Sequence, residues 1–315
     1  MKVAVLGGTG FVGHYLTEKL LHHGHIPRLL TREDSPHLSK QTQPFEWIRG
    51  DIEDNKTLRR LLTGADAVIY NIGILREYPS SGITFEKFQY EWVARTVELA
   101  KDQQIKRFLL MSANGVELGL TAYQKTKLAA ESILPGSGLD WTVFRPSVIF
   151  GNPHGRLEFV TMLKRDIIDS PLPAPLFYEG LIPNSPGGFQ LSPVHVEDVA
   201  ECFVSSLDKP ETYNNIYTLG GPHNLTWKEI LTIIANTLGR KKLMLPVPAV
   251  APAMAAALLD RFPWFPISRD QIRMLVKGNV CSGEKIFKLC NIQPRSFNEE
   301  SLRYIAPQND KQQLL

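Results

Sequence analysis

The stretch "AVLGGTGFVGHYL" (residues 4–16) sets Gly7, Gly8, Gly10 and Gly13 between an apolar run and an amphipathic run. Strand, glycines, helix is the geometry of a dinucleotide pyrophosphate site. Gly7 permits the tight turn out of the strand. Gly10 lets backbone N–H groups reach the phosphates with no Cβ in the way, and Gly13 lets the helix pack close to the sheet. The helix N-terminus offers unpaired N–H groups and a partial positive charge to the anion. The spacing, Gly7-x-x-Gly10-x-x-Gly13, is a variant of the commoner G-x-G-x-x-G and takes its meaning from its place after the first strand.

The surrounding sequence supplies that place. "KVAVLG" (2–7), "IPRLLTR" (26–32), "FEWIRGD" (45–51), "DAVIYNIG" (66–73), "KRFLLMS" (106–112) and "DWTVFRP" (140–146) read as strands. Residues 12–24, 85–104 and 121–134 read as helices. Strand–helix alternation at this spacing predicts an α/β fold with a parallel, doubly wound sheet of Rossmann type. After residue 150 the loops lengthen, and the proline-rich stretch 170–188 reads as a functional or mobile loop. A helix (195–207) and a strand (215–221) follow. Thr226 and Glu229 then form a capping-box pattern for a helix at 226–239, and the remainder reads as helical and proline-broken. The expected division is a dinucleotide-binding domain of residues 1–150 plus about 190–222. A smaller, mainly helical C-terminal lobe takes about 151–189 plus 223–315, with a substrate cleft between the two.

Composition narrows the function. A net charge of +3 lacks the dense basic stripe that nucleic acid requires. The three cysteines, Cys202, Cys281 and Cys290, form no Cys-x-x-Cys pair, which argues against a disulfide framework or a zinc site. The N-terminus shows no signal-peptide pattern and no apolar run is long enough to span a bilayer, so a cytoplasmic location is expected. The histidines of "HHGH" (22–25) read as a helix end rather than a metal site, and no metal is expected.

The end of the second strand, "LLTRED", should meet the adenosine ribose. Arg32 there favours the 2′-phosphate of NADP(H), with Arg28 adding charge from the same side of the strand. Glu33 reading a 2′-hydroxyl would select NAD(H) instead.

With "GGTGFVG", "GDI" (50–52) and "YQKTK" (123–127) in view, the chain resembles the short-chain dehydrogenase/reductase superfamily. "FRPSVIFG" (144–151), "SPVHVEDVAE" (192–201) and "YNNIYTLGGPHNLTWKEI" (213–230) resemble its extended and atypical branches, the NAD-dependent epimerase/dehydratase-like proteins. "FPISRDQIRMLVKGNV" (265–280) is most similar to the group containing the NADPH-binding accessory subunit of mitochondrial complex I and its bacterial relatives.

That resemblance implies that Gly7, Gly10 and Gly13, with the backbone of Thr9, Phe11 and Val12, hold the pyrophosphate. Asp51 and Ile52 would bracket the adenine, unless Asp51 is a helix N-cap. Asn71, Ile72, Gly73 and Pro146 would line the cofactor further on. Tyr123 and Lys127 are four apart on a helix and share a face. A free tyrosine titrates near 10, and a neighbouring ammonium is expected to lower that value so that the pair works as acid or base. The family's third catalytic group is a Ser or Thr after the fifth strand. Asn114 stands at that position here, and Ser112, two residues earlier, is the alternative hydroxyl.

The resemblance thus implies an NADP(H)-binding oxidoreductase or epimerase/dehydratase-like enzyme that transfers hydride. The competing readings are a non-catalytic structural or assembly protein with a locked NADPH, and an NADP(H) redox sensor. Arg145 would orient substrate or form a structural salt bridge. His195 and Asp198 suggest an acid–base pair, which the resemblance turns into a structural helix. The apolar segment 245–267, with Phe262, Trp264 and Phe265, reads as core, an apolar substrate pocket or a membrane-surface patch. The expected partners are an apolar small molecule, a membrane surface or membrane complex, and a second copy of the chain through helices 85–104 and 121–134.

Overall fold

Val3, Ala4, Val5 and Leu6 are all fully buried, which is what a strand covered on both faces demands, and β1 (Lys2–Leu6) takes the centre of the sheet. In this computed structural model, which describes residues 1–32, 45–180, 182–251 and 269–307, β1 pairs in parallel with β2 (Ile26–Thr31) and with β4 (Ala67–Tyr70). Around that centre run β3 (Glu46–Arg49), β5 (Arg107–Met111), β6 (Asp140–Pro146) and β11 (Asn215–Leu219), in the order β3-β2-β1-β4-β5-β6-β11. Every pairing in this sheet is parallel. The chain winds outward from β1 to β3, then returns and winds the other way through β4, so the order reverses between β1 and β4. Ligands of open α/β sheets bind outside the carboxyl ends of the strands at that reversal.

Helices α1 (Phe11–His22), α2 (Asn55–Leu62), α3 (Trp92–Asp102) and α4 (Ala122–Ser132) connect these strands. The expected helix 85–104 starts with a π-helical turn, Glu86–Glu91, before α3. The Phe88 carbonyl in that turn accepts the Tyr70 hydroxyl at 2.7 Å. The buried Gln89 donates to Ile74 O at 2.9 Å and accepts from the Thr126 hydroxyl at 2.9 Å, tying the segment after β4 to α4. Helix α2 is capped by Asp54, whose carboxylate accepts from Lys56 and Thr57 N–H groups. Asp51 is therefore not the cap.

The chain divides into two units. The first comprises residues 1–147, 196–220 and 281–293. Helix α6 (Val196–Ser205) and β11 belong to it, as does the helix Glu284–Cys290, which the sequence reading assigned to the second lobe. The reason is local packing. Ile286 and Phe287 are buried, Thr218 donates to Ser282 O at 2.7 Å, and the Lys285 ammonium lies 5.1 Å from the Tyr217 ring centroid. Arg107, 5% exposed, pins the return of the chain by donating to Asp140 O, Thr142 Oγ1, Ser206 O and Thr212 Oγ1.

The second unit comprises residues 148–195, 221–280 and 294–315, so the boundary at 190 moves to 195. Among its described residues it carries α7 (Trp227–Thr237) with the capping box of Thr226 and Glu229, and three two-stranded ladders. One ladder corrects two expectations. Residues 174–178, inside the stretch read as a loop, form β8 (Ala174–Tyr178), and residues 244–248, read as helical, form its parallel partner β13 (Met244–Pro248). Pro175, Pro246 and Pro248 hid both strands. A two-stranded ladder tolerates them because half of its N–H groups point away from the partner. Residues Glu33, Asp34, Phe262, Trp264 and Phe265, on which earlier expectations rest, lie outside the described residues. Among the described residues no helix is long and apolar enough to cross a membrane.

Candidate functional site

The glycine turn sits at the carboxyl end of β1. Gly7 adopts a φ of +83°, open to glycine at little cost, and a Cβ there would lie 2.8 Å from Asn71 O. The close approach joins the ends of β1 and β4, and Asn71 Nδ2 donates back to Gly7 O at 3.4 Å. Gly10 is the N-cap of α1 and has no side-chain cap, so the first turn of the helix keeps its N–H groups directed outward. A Cβ at Gly10 would come 3.3 Å from Gly7 O, and one at Gly13 would lie 2.6 Å from the Gly8 carbonyl carbon and still nearer Gly7 O. The first turn of α1 contains no acidic side chain. Thr9, Gly10, Phe11 and Val12 are half-buried, with the Phe11 ring edge-on to Tyr15 at 6.0 Å. This cradle fits a diphosphate: bare backbone at the helix start, and no carboxylate to repel the anion.

The second part of the site lies at the ends of β4 and β5. Thr121 and Gln124 form a capping box at the start of α4, and Gln124 Nε2 donates to Gly115 O at 2.8 Å, fixing the turn that precedes the helix. Along one face of α4 stand Tyr123, Lys127 and Glu131, four residues apart. Lys127 is 3% exposed, and its ammonium donates to Met111 O at 2.8 Å. A Cβ on Gly73 would lie 3.6 Å from that ammonium. The fold thus brings the Lys127 ammonium to Met111 O and close to Gly73, two residues past Asn71, which meets Gly7. The half-buried Tyr123 ring packs edge-on against Phe85, with centroids 5.6 Å apart. Asn114 is half-buried at the end of the same strand set, its N–H donating to Pro146 O at 2.8 Å.

Other expected site residues have different work. The Ser112 hydroxyl, 3% exposed, donates to the Glu131 carboxylate, so it is not a spare catalytic hydroxyl. Arg145 holds the same carboxylate, Nε to Oε1 at 2.9 Å and Nη2 to Oε2 at 2.6 Å, and reaches Glu117 at 3.1 Å; the salt-bridge reading is the correct one. Arg28 is buried against Glu46 at 2.6 Å and donates to carbonyls at the end of α2, which removes it from any phosphate. Arg32 is exposed at the end of β2. The Asp51 carboxylate accepts from Glu53 N–H at 2.9 Å, and Ile52 is a core residue, 5% exposed. Ile72 is half-buried against the core. His195 packs edge-on to Phe150 at 5.1 Å, and His23 pairs with Glu201 at 2.8 Å.

The expected tuning of Tyr123 is absent. Burial pushes its hydroxyl up to about 12, because desolvation disfavours the phenolate. Burial also pulls Lys127 down to about 8, with the charge of Glu131 acting in the opposite direction. The Lys127 proton therefore couples to folding. Between pH of about 8 and its ordinary 10.5, the unfolded chain keeps a proton that the folded chain has released, so this group adds stability as pH rises through that window. Lys127→Met removes the effect. Its stability relative to wild type is expected to be highest at pH 7 and to fall by about 2 kcal/mol by pH 9.5. Urea denaturation at the two pH values measures the change, and a constant difference would show that the ammonium is not desolvated.

The comparisons with known proteins agree with this architecture. A family described as NAD(P)H-binding matches residues 7–167, just over half of the chain. The mitochondrial NADH-ubiquinone oxidoreductase 40 kDa subunit of Neurospora crassa is 23% identical over 308 residues, spanning 96% of this chain and 78% of that protein. The ceramide reductase of Caulobacter vibrioides is 26% identical over 258 residues, 82% of this chain and 77% of that one. Among solved structures, the Thermus thermophilus UDP-glucose 4-epimerase complex with NAD superposes with a TM-score of 0.71 at 19% identity, covering 96% of this chain and 97% of the other.

Proposed function

Because the chain belongs to the NAD(P)H-binding family, with an extended short-chain dehydrogenase-like fold, we propose that it is an NADP(H)-dependent oxidoreductase acting on a carbonyl or alcohol through Tyr123, Lys127 and Asn114. The observation that carries this reading is the placement of Lys127 beside Gly73 and Met111, on the helix face it shares with Tyr123. The nicotinamide supplies the hydride when bound. The glycine turn and the start of α1 would hold the diphosphate, and Lys127 would donate to the nicotinamide ribose. Tyr123, neutral at physiological pH, gives its proton to the substrate oxygen as that oxygen gains charge. The Asn114 amide donates to the same oxygen, a task for which no hydroxyl is needed.

Arg32 is the proposed reader of the 2′-phosphate. Arg32→Ser is expected to weaken NADPH binding about tenfold, the worth of one charge-assisted bond, and to leave NADH binding unchanged. Titration with both nucleotides decides it: equal losses would mean that Arg32 does not discriminate.

A second reading is a protein that holds NADP(H) as a fixed group within an assembly. One observation favours it: the Ser112 hydroxyl is spent on Glu131, and an amide stands where the family's catalytic hydroxyl is expected. The similarity to the Neurospora subunit over 96% of the chain supports it. Cofactor that co-purifies and neither exchanges nor oxidises in a carbonyl panel would select this reading over the first.

A further inference from the structure

Glu131 is 5% exposed, buried in the interior of the first unit, and lies four residues beyond Lys127 on α4. Its surroundings are unusual for a helix-interior carboxylate. From the end of β5, the Ser112 hydroxyl donates to it. From β6, Arg145 grips it with two nitrogens, at 2.9 and 2.6 Å. On α4 itself, Glu131 stands one turn beyond Lys127, and its charge favours the ammonium there. Among the described residues Glu117 also joins this set, pairing with Arg145 at 3.1 Å. The adjacent residues Met111 and Ser112 divide their work: the carbonyl of the first takes the Lys127 ammonium, and the hydroxyl of the second takes the Glu131 carboxylate. One strand end therefore fixes both charges of the helix face.

The charge balance gives this arrangement a purpose. Lys127 is almost fully buried and its single described hydrogen-bond partner is a neutral carbonyl. A buried ammonium needs a counter-charge to remain an ammonium. Arg145 has carboxylates of its own on both sides, Glu131 and the more exposed Glu117. If the Glu131 carboxylate is removed, Arg145 keeps Glu117 and Lys127 keeps none.

We propose that Glu131 is a positioning residue for the Tyr123–Lys127 pair: its carboxylate, clamped by Ser112 and Arg145, is the counter-charge that holds Lys127 as an ammonium facing the cofactor. The inference rests on the reading that Lys127 serves the cofactor. It also gives Ser112 a role, as the neutral donor that orients the carboxylate without adding charge. The direction of the effect is fixed by electrostatics. An anion near a cation favours the charged form, so neutralising Glu131 moves the Lys127 titration downward from its value of about 8.

The test is the pH dependence of NADPH affinity, followed by nucleotide fluorescence from pH 6 to 9.5 on wild type, Glu131→Gln, Glu131→Asp and Lys127→Met. Wild type is expected to lose affinity with a midpoint near 8, and Lys127→Met to bind weakly with no such midpoint. Glu131→Gln is expected to shift the midpoint down by about one pH unit, so that its affinity at pH 7.5 falls severalfold while its affinity at pH 6 approaches that of wild type. Recovery at low pH is what a merely structural defect would not give. Glu131→Asp keeps the charge but withdraws it by one methylene, so its midpoint is expected between those of wild type and Glu131→Gln; it carries the test if the glutamine variant fails to fold, and a midpoint at the wild-type value in it would overturn the counter-charge role. An unmoved midpoint in folded Glu131→Gln overturns the proposal and leaves the Tyr–Lys reading standing. A wild-type profile that Lys127→Met reproduces overturns that reading, and the proposal with it.

Discussion

Gly10→Ala is expected to fold with wild-type stability and to bind NADPH about a hundredfold more weakly. The backbone at Gly10 is extended, with φ −77° and ψ −178°, a conformation that alanine adopts freely. The new Cβ would lie 3.3 Å from Gly7 O, a tight contact that a shift of a few tenths of an ångström relieves. The fold has little reason to suffer. The methyl would stand on the approach to the α1 N-terminus, where a diphosphate must come within hydrogen-bonding distance of backbone N–H groups. Losing two charge-assisted bonds of about 1.5 kcal/mol each corresponds to two decades of affinity. Gly13→Ala is the informative contrast. Its Cβ would lie 2.6 Å from the Gly8 carbonyl carbon, and only movement of α1 away from the turn relieves that. Stability and binding should fall together there, by about 1–3 kcal/mol in stability. Thermal melts with nucleotide titrations separate the two cases. Undiminished affinity in Gly10→Ala would remove the diphosphate from the turn.

Tyr123→Phe is expected to lower turnover by a factor of about 10² to 10⁴ while NADPH affinity stays within about twofold of wild type. In the proposed mechanism the hydroxyl is the proton source for the substrate oxygen, and in the variant the ring remains to pack on Phe85. The pH profile gives a second check. With Tyr123 pushed up to about 12, its acid form persists throughout the physiological range, so a fall in reduction rate above pH 8 belongs to Lys127 and not to the tyrosine. A Tyr123→Phe variant that turns over as fast as wild type would remove the mechanism. Absence of turnover in wild type, together with tightly held cofactor, would instead support the fixed-group reading.

Much of the first unit was legible because its signals are local. Four glycines after a buried strand, an alternation of β-branched runs with helices, and Tyr123 four residues before Lys127 all lie within short windows of sequence, and the seven-stranded parallel sheet follows from them. What escaped was set by distant partners. Arg28 reads as a strand-end cation, yet Glu46 and the carbonyls at the end of α2 claim it from across the fold. Ser112 reads as a spare hydroxyl until Glu131, nineteen residues on, is brought beside it. Glu131 itself was findable, since its spacing from Lys127 repeats that of Lys127 from Tyr123, but its burial was not. Proline concealed the β8–β13 ladder, because prolines weigh against strands everywhere except in short, edge-rich pairings such as this one. The lowered Tyr123 titration was expected from sequence proximity alone; in the fold, Lys127 turns to Met111 O and burial governs both groups.

Isothermal titration of nucleotide-stripped full-length protein with NADPH and with NADH addresses the whole scheme at once. Saturable binding at one site per chain, tighter for NADPH and weakened about a hundredfold by Gly10→Ala, is the expected result. A flat thermogram with both nucleotides, on protein shown to be folded, would contradict it and leave Tyr123, Lys127 and Glu131 without a cofactor to serve.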